Sequence, residues 1–334
     1  MALVEKFDGK YSSEVILSLS ISIRPYTQPL QACLASLEAS SLDCTKVGDL
    51  STAFLCKAFG AAIMHIFASV DTLQSAFTKL QQSLEELTAH GHPMFIMPMI
   101  QLQSCLNLTS SNNNAEPTML RGAATNEEDI MSVLPPSHPF YGRLKRKADF
   151  MRLYLGYLFR RNDIVMEMAL SVEKNRASTK FYPSFESLLE NFYLGLAGYS
   201  IVRHGGGHDS GGTGSGAKDW LAIADKMTKE MEHLAENDSA WNFKNKFYLL
   251  AAEQVYTKGD VEEAATAYDR AVETAKEHRF LNEQALASER AALFHLDQEN
   301  VGKARTYLEQ SKDLYQAWGA YRKVEDILSL LVSF

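Results

Sequence analysis

Three stretches of this sequence hold residue types that could do chemistry. The first, Gly211 to Lys218, reads GGTGSGAK and invites comparison with the phosphate loop, whose glycines let backbone N–H groups cradle phosphates and whose Lys directly follows the last Gly. Here Ala217 separates Gly216 from Lys218, and the acidic Asp219 stands next, where it would repel a phosphate. The second, His204-Gly-Gly-Gly-His208-Asp209, offers three side chains able to hold a transition metal and mimics the oxyanion-hole motif of lipases. A hydrolase of that type needs a G-x-S-x-G elbow, which the chain lacks, and closing a metal site in so glycine-rich a stretch costs much ordering entropy. The third is the basic run Arg143-Leu144-Lys145-Arg146-Lys147, with Arg152, Arg160 and Arg161 after it, which reads as an anion contact, a localisation signal or simply a solvated helix face. None of the three assembles a reaction centre. The sequence therefore predicts a protein that is not an enzyme, with no catalytic residue, cofactor or metal ligand.

The whole-chain properties narrow the class of partner. Across 334 residues the chain is 46% hydrophobic and 22% charged, which is ordinary for a folding chain. Its net charge of −8 argues against nucleic acid, whose binders need clustered Lys and Arg to displace counterions. Cys33, Cys44, Cys56 and Cys105 lack CxxC spacing and fall on helical segments, so they read as buried free thiols in a reducing compartment. The N-terminus has no basic-then-apolar leader, and the most apolar run, Ala53 to Val70, is interrupted by Lys57 and His65, so it reads as a core helix and no membrane partner is expected. A cytoplasmic location follows, and the sequons at Asn107 and Asn237 carry little weight there.

Helices must position whatever the chain binds. Apolar residues recur at helical spacing, as at Leu73, Phe77, Leu80, Leu84 and Leu87, whereas period-two alternation is confined to Val15 to Ile23, read here as the end of a helix for want of a second strand to pair with. Breaks rich in Gly, Pro, Asn or Ser divide the chain into a tail at 1–13, N-terminal helical repeats at 14–203 with loops at 109–128 and 134–142, a Gly-rich loop at 204–217, and C-terminal repeats at 218–334. One short pattern recurs: Gly48-Asp49-Leu50, Asn162-Asp163-Ile164, Gly259-Asp260-Val261 and Glu299-Asn300-Val301. Physically it is a helix end, a left-handed turn and a capped new helix.

Around the third copy stand Tyr248, Ala251, Ala252, Val255, Ala264, Tyr268 and Ala271, alternating large and small residues where two antiparallel helices must interlock, and this resembles the tetratricopeptide repeat. The fourth copy repeats the plan in Ala291, Ala292, Ala304, Leu308 and Ser311. The fold class predicted is all-α, a superhelical solenoid of antiparallel helix pairs. The third and fourth turns lie 40 residues apart, so longer helices or loops must extend the usual repeat.

A more specific likeness rests on Asn242-Phe243-x-x-Lys246-x-x-Leu249-Leu250-x-x-Glu253, the Gly259 turn, and Tyr315-x-x-Trp318-Gly319-Ala320-x-x-Lys323-Val324. These segments resemble the helical-repeat region of large multidomain signalling proteins that combine a protein-kinase-like domain and an AAA-type ATPase with a sensor and a histidine kinase or nucleotide cyclase. Ile23-Arg24-Pro25-Tyr26, Gly48-Asp49-Leu50 through Ala53, and Asn191-Phe192-Tyr193-Leu194-Gly195-Leu196 extend the likeness to residues 14–328. The resemblance implies an interaction scaffold or regulatory connector whose partners are proteins, peptides or neighbouring signalling domains; the kinase-like, ATPase and output domains are missing from the chain.

Glu253, Tyr256, Glu283, Glu289 and Arg290 are candidates to line the inner groove of such a superhelix, where a solenoid presents its concave surface. An alternative is a sensor that encloses a small molecule or peptide inside the superhelix. At the other end, the helices between Val15 and Ala39 are expected to be an uncovered array end, because residues 1–13 are too short and polar to cap them.

Overall fold

Helix starts and stops follow the capping chemistry read from the repeated pattern. The side chains of Asp49, Asp260 and Asn300 accept the backbone N–H of Thr52, Glu263 and Lys303 at 3.1, 3.0 and 3.2 Å, each satisfying a donor that the first helical turn leaves open. Gly259 and Gly319 end their helices in the left-handed region, at φ 88° and 91°, where a Cβ would be strained. Arg160, Arg279 and Glu299 take the same conformation without being glycine, at φ 56°, 61° and 57°. In the second copy of the pattern it is therefore Arg160, not Asn162, that makes the left-handed turn.

The structure is a computed structural model that describes residues 12–60, 67–69, 72–91, 96–109, 116–133, 135–138, 141–178, 184–205 and 219–333. The phosphate-loop comparison at Gly211 to Lys218, the pair His208 and Asp209, and the tail at 1–11 lie outside the described residues. Among the described residues there are fifteen α-helices and no strand: α1 (Ser12–Ser22), a 3-10 turn (Arg24–Tyr26), α2 (Leu30–Lys46), α3 (Leu50–Phe59), α4 (Leu73–Ala89), α5 (Ile96–Thr109), α6 (Glu127–Val133), α7 (Tyr141–Leu158), α8 (Asn162–Ser178), α9 (Phe185–Arg203), α10 (Trp220–Asn237), α11 (Ala240–Lys258), α12 (Val261–Glu277), α13 (Leu281–Asp297), α14 (Val301–Trp318) and α15 (Tyr321–Val332). From α7 onward each helix packs on the next, the arrangement of a helical-repeat solenoid. None of the helices among the described residues is long and apolar enough to cross a membrane.

The alternating stretch after Val15 is helical, with Leu17 and Ser20, three residues apart, turned inward. The interlocking plan of the repeats is also visible. Ala252, Ala264, Tyr268, Ala271, Ala304 and Leu308 are all fully buried, while Tyr248 is half-buried against the same core. The long spacing between turns comes from the helices themselves, because α12 and α13 run 17 residues each. Backbones approach closely between α9 and α10: a Cβ at Gly198 would stand 2.9 Å from both the Trp220 carbonyl oxygen and the Ala224 Cβ.

The expected uncovered end at Val15 to Ala39 is not observed. Leu30, Cys33, Leu34 and Leu37 are buried, and Asn242 on α11 accepts the Leu30 N–H at 2.9 Å while donating to the carbonyls of Pro25 and Gln28, both at 2.7 Å. Trp241 donates to Gln31 at 3.1 Å, and Phe67 packs edge-on against Tyr154 of α7 at 5.3 Å. Burial here comes from helices more than 200 residues away in sequence, since Asn242 lies 212 positions beyond Leu30. A repeat pattern alone could not reveal such a contact.

Two substitutions test this packing. Gly198→Ala should force α10 away from α9, and Ala264→Leu should overpack the α11–α12 hairpin, each at a cost of about 1–3 kcal/mol. Equal urea midpoints for wild type and both variants would show that neither contact is as close as described.

Candidate binding site

The inner helices α7, α9, α11, α13 and α15 carry carboxylates whose partners lie on neighbouring inner helices. Glu253 of α11 is wholly buried. Its Oε1 accepts from Tyr268 and from Arg290 Nε, each at 2.8 Å; its Oε2 accepts from Arg290 Nη2 at 3.2 Å and from Arg203. Burial alone would push this carboxyl up, but Arg203 and Arg290 outweigh it and hold the group down at about 2. Arg203 also donates to the Glu253 carbonyl at 3.1 Å and to Thr257 at 2.6 Å, and it lies over the Tyr256 ring at 4.5 Å.

Glu289 of α13 forms a second centre. It accepts from Lys323 at 2.7 Å, from Tyr315 at 2.9 Å and from Arg160. Lys323, on α15 and fully buried, donates in addition to the Leu158 carbonyl at the end of α7 and to Asp326, and Arg160 reaches Asp326 at 2.7 Å. These bonds tie the first inner helix to the last two. A third centre pairs Lys246 of α11 with Glu283 of α13 at 2.8 Å, with Lys246 lying 4.3 Å from the centre of the Phe280 ring. Burial lowers the Lys246 ammonium's pKa, and Glu283 opposes that shift.

The proposed groove residues thus take unlike positions. Glu253, Glu283, Glu289 and Arg290 lie in the interior, between 0% and 8% exposed, and are neutralised within the chain rather than presented to an open groove. The physical reason is closure: Arg160 and Lys323 draw α7, α13 and α15 together, and Phe150, Tyr154 and Tyr193 fill the space between, with Tyr154 and Tyr193 meeting perpendicular at 5.1 Å. Tyr256 stays partly exposed and donates to Asp297. The basic run is only in part a solvated face: Arg143 is exposed, but Lys147 is buried on Glu186, Arg146 meets Glu190, and Lys145 reaches Asp149 at 3.0 Å. Burial pushes Glu190 up to about 7 in spite of Arg146. All four cysteines are buried free thiols, raised by burial to about 11 at Cys33 and about 12 at Cys56.

Where α7, α9 and α13 end, the closure leaves a cavity of about 570 Å³. Arg160, Arg203, Arg290, Tyr157, Tyr256 and Asp297 stand around it, with Val165 and Leu293 among its apolar walls. Tyr256 and Arg290 are among the groove candidates and Arg160 belongs to the basic run that reads as an anion contact, whereas Arg203 and Tyr157 stand in neither set. A signal existed: Lys246 and Glu283, Glu253 and Arg290, and Glu289 and Lys323 are 37, 37 and 34 residues apart, so charges of opposite sign recur one repeat later. Among the described residues no group of three His, Cys, Asp or Glu side chains could hold a metal. Neither protein-family models nor curated proteins give a match to this sequence.

The Glu253 centre predicts a pH dependence. Its folded pKa of about 2 lies below the ordinary 4.5, so its stabilisation is fully present above 4.5 and drains away as pH falls through about 2. That interval corresponds to about 3 kcal/mol. Glu253→Gln should be destabilised at neutral pH by about 3–5 kcal/mol, because two guanidiniums stay buried without their anion. Its stability should also fall less steeply in acid. Urea midpoints measured across that range would refute the assignment if the two proteins lost stability in parallel.

Proposed function

We propose that the chain is a non-catalytic interaction scaffold or regulatory connector of signal transduction, whose partners are proteins, peptides or neighbouring signalling domains, acting in the cytoplasm. The observation that carries this reading is the use made of the buried charges. Catalytic acids and bases need unsaturated groups poised at a cavity, with pKa values near the working pH. Glu253 instead sits at about 2 under two guanidiniums and a tyrosine, locked as a counter-ion between helices. Such pairs fix the register of successive repeats, which suits an array that holds other domains in place. The likeness of Asn242 to Glu253 and Tyr315 to Val324 to the repeat region of multidomain signalling proteins supports the same reading. No nucleic acid or membrane partner is proposed, in keeping with the net charge of −8.

A second reading, a sensor that encloses a small molecule, is favoured by one observation: the 570 Å³ cavity, in the size range of small-ligand sites and walled by both apolar and hydrogen-bonding groups.

The connector reading predicts direct binding, in the micromolar range, of the purified chain to at least one kinase-like, ATPase or histidine-kinase domain found near it by proximity labelling in its own cell. It also predicts no turnover of nucleotides, phosphoesters or carboxylic esters by the same preparation. Turnover that disappears in Tyr256→Phe or Glu253→Gln, provided the variant is shown to be folded, would replace the connector with an enzyme.

A further inference from the structure

We infer that the cavity at the ends of α7, α9 and α13 is a subsite for an anionic oxygen group, a carboxylate or a phosphate, carried by a small ligand with an apolar or aromatic body. The inference rests on the sensor reading and adds the chemistry of what is bound.

The argument starts from hydrogen-bond capacity. An arginine presents five N–H donors and no acceptor. Arg290 uses Nε and Nη2 on Glu253, and its Nη1 has no partner among the described residues. Arg203 uses Nη1 and Nη2 on Glu253 and Thr257, which leaves Nε. Arg160 uses Nη1 on Glu289 and Nη2 on Asp326, which also leaves Nε. Tyr157 is 4% exposed, its ring lies 5.4 Å from the Arg290 guanidinium, and its buried hydroxyl has no hydrogen-bond partner among the described residues. All four residues line the same cavity. A buried hydroxyl without a partner costs about 1–3 kcal/mol, so a ligand that supplies an acceptor recovers that cost.

The remaining groups decide the sign of the ligand. Arg160, Arg203, Arg290 and Lys323 are balanced by Glu253, Glu289, Asp326 and Asp297, so no large net field selects the ligand. Three helices, α7, α9 and α13, present carbonyl ends here, which by themselves would disfavour an anion, while α8 begins at the same cavity with Asn162. Those carbonyls are already answered: Leu158 by Lys323, Glu253 by Arg203, and Ser200 by His204 Nδ1 at 2.8 Å. Glu253 and Glu289 each accept at least three hydrogen bonds, whereas Asp297, exposed at the rim, accepts from Tyr256. Among the buried groups what is left unanswered is donor capacity, and guanidinium N–H groups match the oxygens of a carboxylate or phosphate. Val165, Leu293 and the rings of Tyr157 and Tyr256 provide the apolar wall for the rest of the ligand.

The test uses the full chain with phenyl phosphate, phenylacetate and neutral phenylacetamide at constant ionic strength, read by calorimetry and by NMR of the arginine Nε–H and ring signals. Tyr157→Phe is the variant of choice, because its hydroxyl holds no structural bond and its loss should leave the fold intact. At least one anion should bind wild type and bind the variant about tenfold more weakly. Phenyl phosphate binding alone identifies a phosphate ligand, and phenylacetate alone a carboxylate. Binding of phenylacetamide that equals the anions in strength and depends on Tyr157 would overturn the anionic inference while leaving the sensor reading standing. Anion binding unchanged in Tyr157→Phe would overturn the subsite while leaving the sensor reading standing, and no binding by any probe would overturn both.

Discussion

Taking a carboxylate out of water costs several kcal/mol unless cations and hydrogen bonds replace the lost hydration, and Glu253 and Glu289 are 0% and 1% exposed. Each therefore requires its partners in place, and those partners sit on other helices. Glu253 demands Arg203 from α9, Tyr268 from α12 and Arg290 from α13; Glu289 demands Lys323 and Tyr315 from α15 and α14, and Arg160 from beyond α7. Apolar packing tolerates small slips between helices, whereas a buried ion pair does not, because a displaced cation leaves an uncompensated charge. These two centres set how the repeats stack.

The consequence reaches the shape of the inner face. A solenoid left open would present its inner helices to solvent as a concave surface. Here Lys323 binds the last carbonyl of α7 and Arg160 binds Glu289 and Asp326, so the first and last inner helices are joined. Phe67, Phe150, Tyr154 and Tyr193 then occupy the interior with edge-on and tilted contacts between 5.1 and 6.1 Å. The N-terminal helices close the other side through Asn242, whose amide meets three backbone groups at 2.7 to 2.9 Å.

Much of this was legible in the sequence, for local reasons. Caps such as Asp260 and Asn300, the left-handed Gly259, and small residues at Ala264 and Ala304 act within one hairpin, so their spacing along the chain carries their meaning. The fate of Glu253, Glu289 and Arg290 was not legible in the same way. Charged residues on an inner helix read as a groove unless their counter-charges are seen, and Arg160 stands 129 residues from Glu289. The docking of α2 on α11, at a separation of 212 residues, left no periodic trace at all.

Arg160 joins these two levels of organisation. One guanidinium edge holds α13 and α15 through Glu289 and Asp326, while the residue also lines the cavity beside Arg203 and Arg290. Its backbone is in the left-handed region, at φ 56°, a conformation that a side chain with a Cβ adopts only when its surroundings require it. As at Arg279 and Glu299, the turn is closed by backbone bonds, here from the Arg160 and Arg161 N–H groups to the Tyr157 and Gly156 carbonyls at 3.2 and 2.9 Å, and it aims the Arg160 side chain at its ion pairs. Any motion that separates α15 from α7 must displace Arg160, and with it one wall of the cavity. The shape of the cavity and the closure of the array are for this reason a single structural variable, set by the same guanidinium.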